Sequence, residues 1–317
     1  MRVILLALAV LPGVVPFSSA QPENGRGLLI IASIADSRAD IVDESTSRTL
    51  ASLPTGKAPH EVRTTPDGRR AFVVAGSTIT VIDVARRTVR ASFDLGEFSA
   101  HDVRISRDGR LLWAACARAE TILELDAERG EVLRKYPTGR PGAWFVEVTP
   151  DEKKLITPNL EGRSVSVITR ATGEVKVLPL DYQAYGIDVT PDGRYLFVSG
   201  RGVAVIDTAT DTIVRTITTA DPETGRLRVT PDGQRLVLAM ARSIAMLDIR
   251  DGRMLREIPL EAVPKVLTLS GDGRRAYVTN PEANTAAIVD LTSGRVLTTL
   301  KTRGTPDGIA WAARRSD

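Results

Sequence analysis

The chain has two histidines, His60 and His101, and each precedes an acid, Glu61 and Asp102. Imidazole beside carboxylate is the pairing that titrates near neutral pH, and it suits divalent-metal binding or acid–base work. Both histidines stand seven residues before an aspartate that belongs to a recurring turn motif. The motif reads Pro66-Asp67-Gly68, Arg107-Asp108-Gly109, Pro150-Asp151-Glu152, Pro191-Asp192-Gly193, Pro231-Asp232-Gly233 and Gly271-Asp272-Gly273, in steps of 41, 43, 41, 40 and 40 residues. At the histidine phase the other repeats carry Trp144, Tyr185, Gly225 and Lys265. The tail Gly304-Thr305-Pro306-Asp307-Gly308-Ile309 matches the approach Gly56-Lys57-Ala58-Pro59-His60-Glu61-Val62 and so adds Asp307 to the set. Two histidines placed at random would share a phase about once in forty, given a period of this length.

The elements that must position these residues follow from the same repeat. Residues 60–65 alternate around Val62 and end at the turn; 70–75 hold the apolar run Ala71-Phe72-Val73-Val74. Residues 78–84 alternate through Ile79 and Val81, and 88–95 form a fourth run after Ala85-Arg86-Arg87. Short β-branched runs bounded by Gly, Pro, Asp and Ser read as antiparallel strands joined by hairpins. The third run ends in an apolar-Asp pair at Val42-Asp43, Ile82-Asp83, Leu125-Asp126, Ile206-Asp207, Leu247-Asp248 and Val289-Asp290, with Ile168-Thr169 as the exception. An Asp that opens a turn accepts hydrogen bonds from backbone N–H groups two residues on, so these aspartates and those of the Pro-Asp-Gly turns are structural.

A four-stranded sheet with two apolar faces must bury both, and radial stacking does so while leaving only short edges. The expected fold is all-β, a seven-bladed β-propeller of four-stranded antiparallel blades. Six blades begin at His60, His101, Trp144, Tyr185, Gly225 and Lys265. The seventh is closed by pairing of the N- and C-terminal strands, since residues 28–53 hold three runs and 307–312 supply the missing one. Closure of this kind removes two exposed edges.

In this architecture the phase-matched residues ring the mouth of the central channel. Asp307, His60 and His101 form one arc with Glu61 and Asp102 beside them; Trp144, Phe145 and Tyr185 form the opposite arc, with Lys265 beyond. The expected ligand-binding set is His60, Glu61, His101, Asp102, Trp144, Tyr185, Lys265 and Asp307. His60, His101 and Asp307 are the candidates for catalysis and for a divalent metal; no other cofactor is expected. The alternative is structural inheritance, because neighbouring repeats share recent ancestry and a strand-start histidine can bridge strands. A second ring, four residues before each turn aspartate, reads Arg63, Arg104, Glu147, Asp188, Arg228, Thr268 and Ala310. Its neighbours are apolar, so its charges should pair across blades. The expected pairs are Arg104 with Glu147 and Asp188 with Arg228.

The segment Arg275-Ala276-Tyr277-Val278-Thr279-Asn280, with Asn284-Thr285-Ala286-Ala287-Ile288-Val289-Asp290 and Gly294-Arg295-Val296, resembles the YVTN-type β-propeller repeat. Pro191-Asp192-Gly193 with Val203-Ala204-Val205-Ile206-Asp207 is a second match. The resemblance implies exported or surface proteins, some accompanying periplasmic redox systems, and related seven-bladed propellers include lactonases and a lyase. Fold does not fix function among them.

Bulk properties narrow the classes. Residues 1–20 read as a secretory signal, with Arg2, an apolar run to Phe17 and the small residues Ser18-Ser19-Ala20 before Gln21. Residues 21–317 are then a single propeller domain, periplasmic or secreted, without a membrane span after cleavage. A lone cysteine, Cys116 in an apolar run, permits no intramolecular disulfide and no c-type haem attachment. A net charge of +3 spread over all repeats and 4% aromatic residues speak against a nucleic-acid partner. No Gly-x-Ser-x-Gly elbow or phosphate-cradling loop is present. The leading expectation is a non-catalytic binding scaffold, monomeric, that takes a protein partner or small ligand on its channel face. The alternative is a lactonase- or lyase-like enzyme using His60 and His101.

Overall fold

The computed structural model describes residues 27–219 and 224–314, so the signal segment expected over 1–20 lies outside the described residues. It forms seven four-stranded antiparallel sheets. Blade 2 is typical, with strands Glu61–Thr64, Arg70–Ala75, Thr78–Asp83 and Thr88–Asp94 in sequential order from the channel outward. In blade 1 the innermost strand is Pro306–Ala313, which pairs with Gly27–Ser33 in the register Gly27↔Ala313 to Ile31↔Ile309. The expected closure is thus present. Among the described residues no helix is long and apolar enough to cross a membrane.

Burial explains the patterning. Middle strands lie between two neighbouring sheets and are apolar on both faces, as in Ala71, Phe72, Val73 and Val74, all fully buried. Blade 2 side chains Phe72, Val74 and Ile79 pack with Val103, Leu112 and Cys116 of blade 3. Cys116 is accordingly core, and burial pushes its thiol up to about 12. The closing blade is packed on both sides, Leu28, Ile30 and Ile41 against Val62 and Val73, and Leu29 and Ile31 against Tyr277 and Ile288. Each such side chain contributes roughly 1.5–3 kcal/mol on burial.

The turn aspartates do what the sequence requires of them. Asp67 Oδ1 accepts from Thr65 Oγ1 (2.5 Å) and Arg69 N (3.0 Å). The same hydroxyl–aspartate–backbone arrangement returns at Ser106/Asp108, Thr149/Asp151, Thr190/Asp192, Thr230/Asp232 and Ser270/Asp272. Asp43, Asp126 and Asp207 likewise cap the third-to-fourth-strand turns through backbone N–H groups.

Candidate functional site

Each inner strand begins at one mouth of the channel, and the phase-matched side chains gather there. His60 Nδ1 lies 3.0 Å from Asp307 Oδ2, and Lys265 Nζ donates to the same oxygen at 3.1 Å. The side chains of His60 and Lys265 are 36% and 41% exposed, whereas that of Asp307 is 3% exposed. Asp307 is therefore a buried carboxylate holding two solvent-facing nitrogen groups in place. His60 stacks on His101, with ring centroids 5.0 Å apart and planes at 21°. His101 meets Trp144 and Phe145 edge-on at 5.1 Å each, and Phe145 meets Tyr185 edge-on at 5.2 Å. The two expected arcs are one continuous aromatic chain. Trp144 is fixed by a hydrogen bond from its indole N–H to Glu161 Oε1 (3.0 Å).

Protonation states follow from burial. His101 is largely buried, and desolvation, with His60 adding to it, lowers its pKa to about 4. Its Nδ1 has no hydrogen-bond partner. At neutral pH the ring is a neutral aromatic spacer between His60 and the Trp144–Phe145 pair.

Glu61 and Asp102, expected beside the histidines at the mouth, lie below it and are 0% exposed. The inner strand turns residues 61 and 63 toward the channel axis, where arginines take up the acids. Arg63 Nη1 donates to Glu61 (2.8 Å) and its Nη2 lies 2.9 Å from Asp102. Arg104 bonds Asp102 at 3.1 Å and Glu147 at 2.8 Å, which is one of the two expected ring pairs. Burial alone would lower the Arg104 pKa; Glu147 and Asp102 outweigh it and hold the pKa above its ordinary value. Asp102 is held below the carboxylate range because Arg63 and Arg104 overcome its desolvation.

The other expected pair does not form. Asp188 accepts from Val229 N (2.7 Å), Arg228 donates to the Leu227 carbonyl (2.9 Å), and the two charges do not form an ion pair. Adjacent positions on a ring of strands fix Cα separation, not the reach of a short Asp side chain.

Sequence reasoning also missed Arg226. It follows Gly225, the blank position of the histidine ring, and is almost wholly buried. Its guanidinium lies over the Phe145 ring at 3.6 Å and pairs with Glu61 across the channel. Desolvation brings its pKa down to about 9. A plug of Arg226, Glu61 and Phe145 therefore closes the channel beneath the histidines. The available signal was a charge at the first apolar-strand position, where the neighbouring repeats have Gly186 and Val266.

The arrangement bears on metal chemistry too. Imidazole lone pairs lie in the ring plane, so two rings stacked face to face do not aim at a common point. Asp307 Oδ2 is already shared with Lys265. Among the described residues no three His, Cys, Asp or Glu side chains are grouped to hold a metal ion. A divalent metal does not fit His60, His101 and Asp307 as they stand.

No protein-family model matches the chain, and no curated protein matches it. Solved structures do. Hydrazine synthase of Kuenenia stuttgartiensis superposes with a TM-score of 0.74 at 21% identity, over 83% of this chain and 92% of that one. A functionally unknown protein of Desulfotomaculum acetoxidans superposes with a TM-score of 0.80 at 14% identity, over 91% and 99%. The dihydro-heme d1 dehydrogenase NirN, solved in complex with DHE, gives a TM-score of 0.65 at 18% identity, over 95% and 77%. At these identities the likeness concerns the fold. The chain is a seven-bladed β-propeller, and the YVTN resemblance rests on the residues that carry it.

Proposed function

We propose that the protein is an exported, non-catalytic β-propeller that binds a ligand or protein partner at the histidine mouth, as an accessory to a redox or catabolic system. The observation that carries this is the shared use of Asp307. One buried carboxylate orients an exposed imidazole and an exposed ammonium at the edge of an aromatic chain. Such a surface offers stacking area to a planar or aromatic group and a cation to an acidic one. The plug beneath it confines recognition to the mouth. The accessory role rests on the YVTN resemblance, and the solved neighbours add the fold.

One observation favours the second reading, a lactonase- or lyase-like enzyme. The Asp307–His60 contact is made through Nδ1, which leaves Nε2 of this partly exposed ring available as a general base oriented by a carboxylate. Against it, neutral His101 with a pKa near 4 supplies no general acid at neutral pH.

A thermal-shift screen of planar carboxylates, run with metal analysis on wild type, His60→Ala and Lys265→Ala, tests the binding reading. A compound that raises the wild-type midpoint and loses its effect in both variants is the expected result. Identical responses from all three proteins would return the histidines to a scaffold role. Turnover of a lactone by wild type but not by His60→Ala would establish the enzyme reading instead.

A further inference from the structure

The opposite end of the channel holds charges of a different kind. Arg63, Arg104 and Arg226 are each engaged by carboxylates, Arg63 by Glu61 and Asp102, Arg104 by Asp102 and Glu147, and Arg226 by Glu61. Arg228 forms no ion pair among the described residues; its one hydrogen bond goes to the adjacent Leu227 carbonyl. Asp188 on the neighbouring blade accepts only from Val229 N. Both side chains line a cavity of about 190 Å³, together with Thr268. A groove of about 300 Å³ shares Arg63, Arg104 and Trp311 with it and adds Ile105 and Pro66 near the Pro-Asp-Gly turns. Opposite charges that are partly buried and face one cavity without an ion pair between them are costly unless something bridges them.

We propose that this end of the channel binds a small amphipathic carboxylate together with one proton. The carboxylate accepts from the Arg228 guanidinium, protonated Asp188 donates to its other oxygen, and the apolar part of the ligand lies along Trp311 and Ile105. Three features support this. Among the described residues Arg228 is the channel guanidinium without a carboxylate, and its one hydrogen bond leaves further N–H groups to donate to a ligand. The cavity is charged at its inner end, and its outer groove is more apolar. Burial, and then Glu147, raise the Asp188 pKa to about 6 against the pull of Arg228, the Val229 N–H and Arg104; Arg63 faces the same space. A bound anion adds like charge beside Asp188, so anion and proton uptake are linked.

The test is titration calorimetry of the full chain with benzoate at pH 5.5 and 7.5, in two buffers of different ionisation enthalpy. Wild type should bind on the order of tenfold more tightly at pH 5.5 and take up a proton at pH 7.5. Arg228→Gln should weaken binding at least about tenfold. Asp188→Asn should bind equally at both pH values with no proton uptake. Circular dichroism confirms that each variant is folded, and the near-isosteric Asp188→Asn keeps the test decisive if Arg228→Gln does not fold. No benzoate binding by wild type or Asp188→Asn would overturn the proposal. So would unaltered affinity in Arg228→Gln, pH-independent binding by wild type, or a preference for benzylamine, which would make Asp188 the anchor of a cation. All proteins, including the one that is wild type at Asp188 and Arg228, carry His60→Ala, which removes carboxylate binding at the histidine mouth, so each outcome is read at this end of the channel alone.

Discussion

Burying an imidazole acts against its charged form, and at His101 the size of that effect sets how the protein responds to acid. The folded pKa of about 4 lies below the ordinary value of 6.5, so between these limits the unfolded chain binds a proton that the folded chain does not. Stability from the neutral ring is fully present above pH 6.5 and is lost as pH falls toward 4, by about 3 kcal/mol at most. Asp188 works in the opposite sense. Its folded pKa of about 6 is raised, so its contribution is present at low pH and is lost as pH rises through 6. The two slopes oppose each other between pH 4 and 6, and comparison with a variant separates them. His101→Phe keeps the ring contacts and removes the titration. The gap between wild-type and variant urea midpoints should widen in favour of wild type from pH 4.5 to 7; parallel curves would show that His101 is not desolvated. Repeat phase was enough to gather His60, His101, Lys265 and Asp307 from sequence, because the phase is a coordinate around the ring. It said nothing about depth. Glu61 and Asp102 differ from the histidines by one residue and by the whole step from mouth to plug. Arg226 went unread because its repeat shows a glycine at the ring position and carries the charge one residue further on.

At the scale of a single turn, six near-identical loops allow one departure to be weighed against five controls. Gly68, Gly109, Gly193, Gly233 and Gly273 all have positive φ, between +67° and +76°, and the sixth turn places Glu152 there at +57°. A residue with a Cβ in this region costs about 1 kcal/mol relative to glycine. Glu152 recovers a comparable amount, since its Oε1 accepts from Arg107 N of the adjacent blade at 2.8 Å. Glu152→Gly should therefore be close to neutral, within about 0.5 kcal/mol, because it trades the contact for relief of the backbone. Glu152→Ala keeps the strained φ and loses the contact, and should destabilise by about 1 kcal/mol. Denaturation midpoints of the two variants decide this, and equal losses would mean that the turn carries no strain. The strands themselves were legible almost to the residue. Alternation and turn chemistry repeat in every blade, whereas the pairing of Asp188 with Arg228 depends on side-chain reach and failed.

For the whole molecule the question is what the closing strand contributes. Pro306–Ala313 completes blade 1 from the far end of the sequence, so its pairing with Gly27–Ser33 is the most non-local contact in the ring. It also carries Asp307, which joins the closure to the mouth: without this strand His60 and Lys265 lose the carboxylate they share. Because Gly27 and Ala313 are register partners in an antiparallel pair, a hairpin turn of about four residues can join them. A permuted chain that starts at Gly56, runs to Arg314, crosses that turn to Gly27 and ends at Thr55 would hold blade 1 as one local meander. Its sheets and its mouth would be unchanged. If closure matters only as packing, the permutant should unfold cooperatively with a midpoint near that of the parent and fold faster, since contact order falls. A chain cut after Thr305 should instead lose cooperativity, because Leu28, Ile30, Val62 and Val73 would be left against an open sheet edge. Stopped-flow refolding and urea denaturation of the pair separate the two roles. A permutant that folds no faster would place the slow step in the blades themselves rather than in joining the ends.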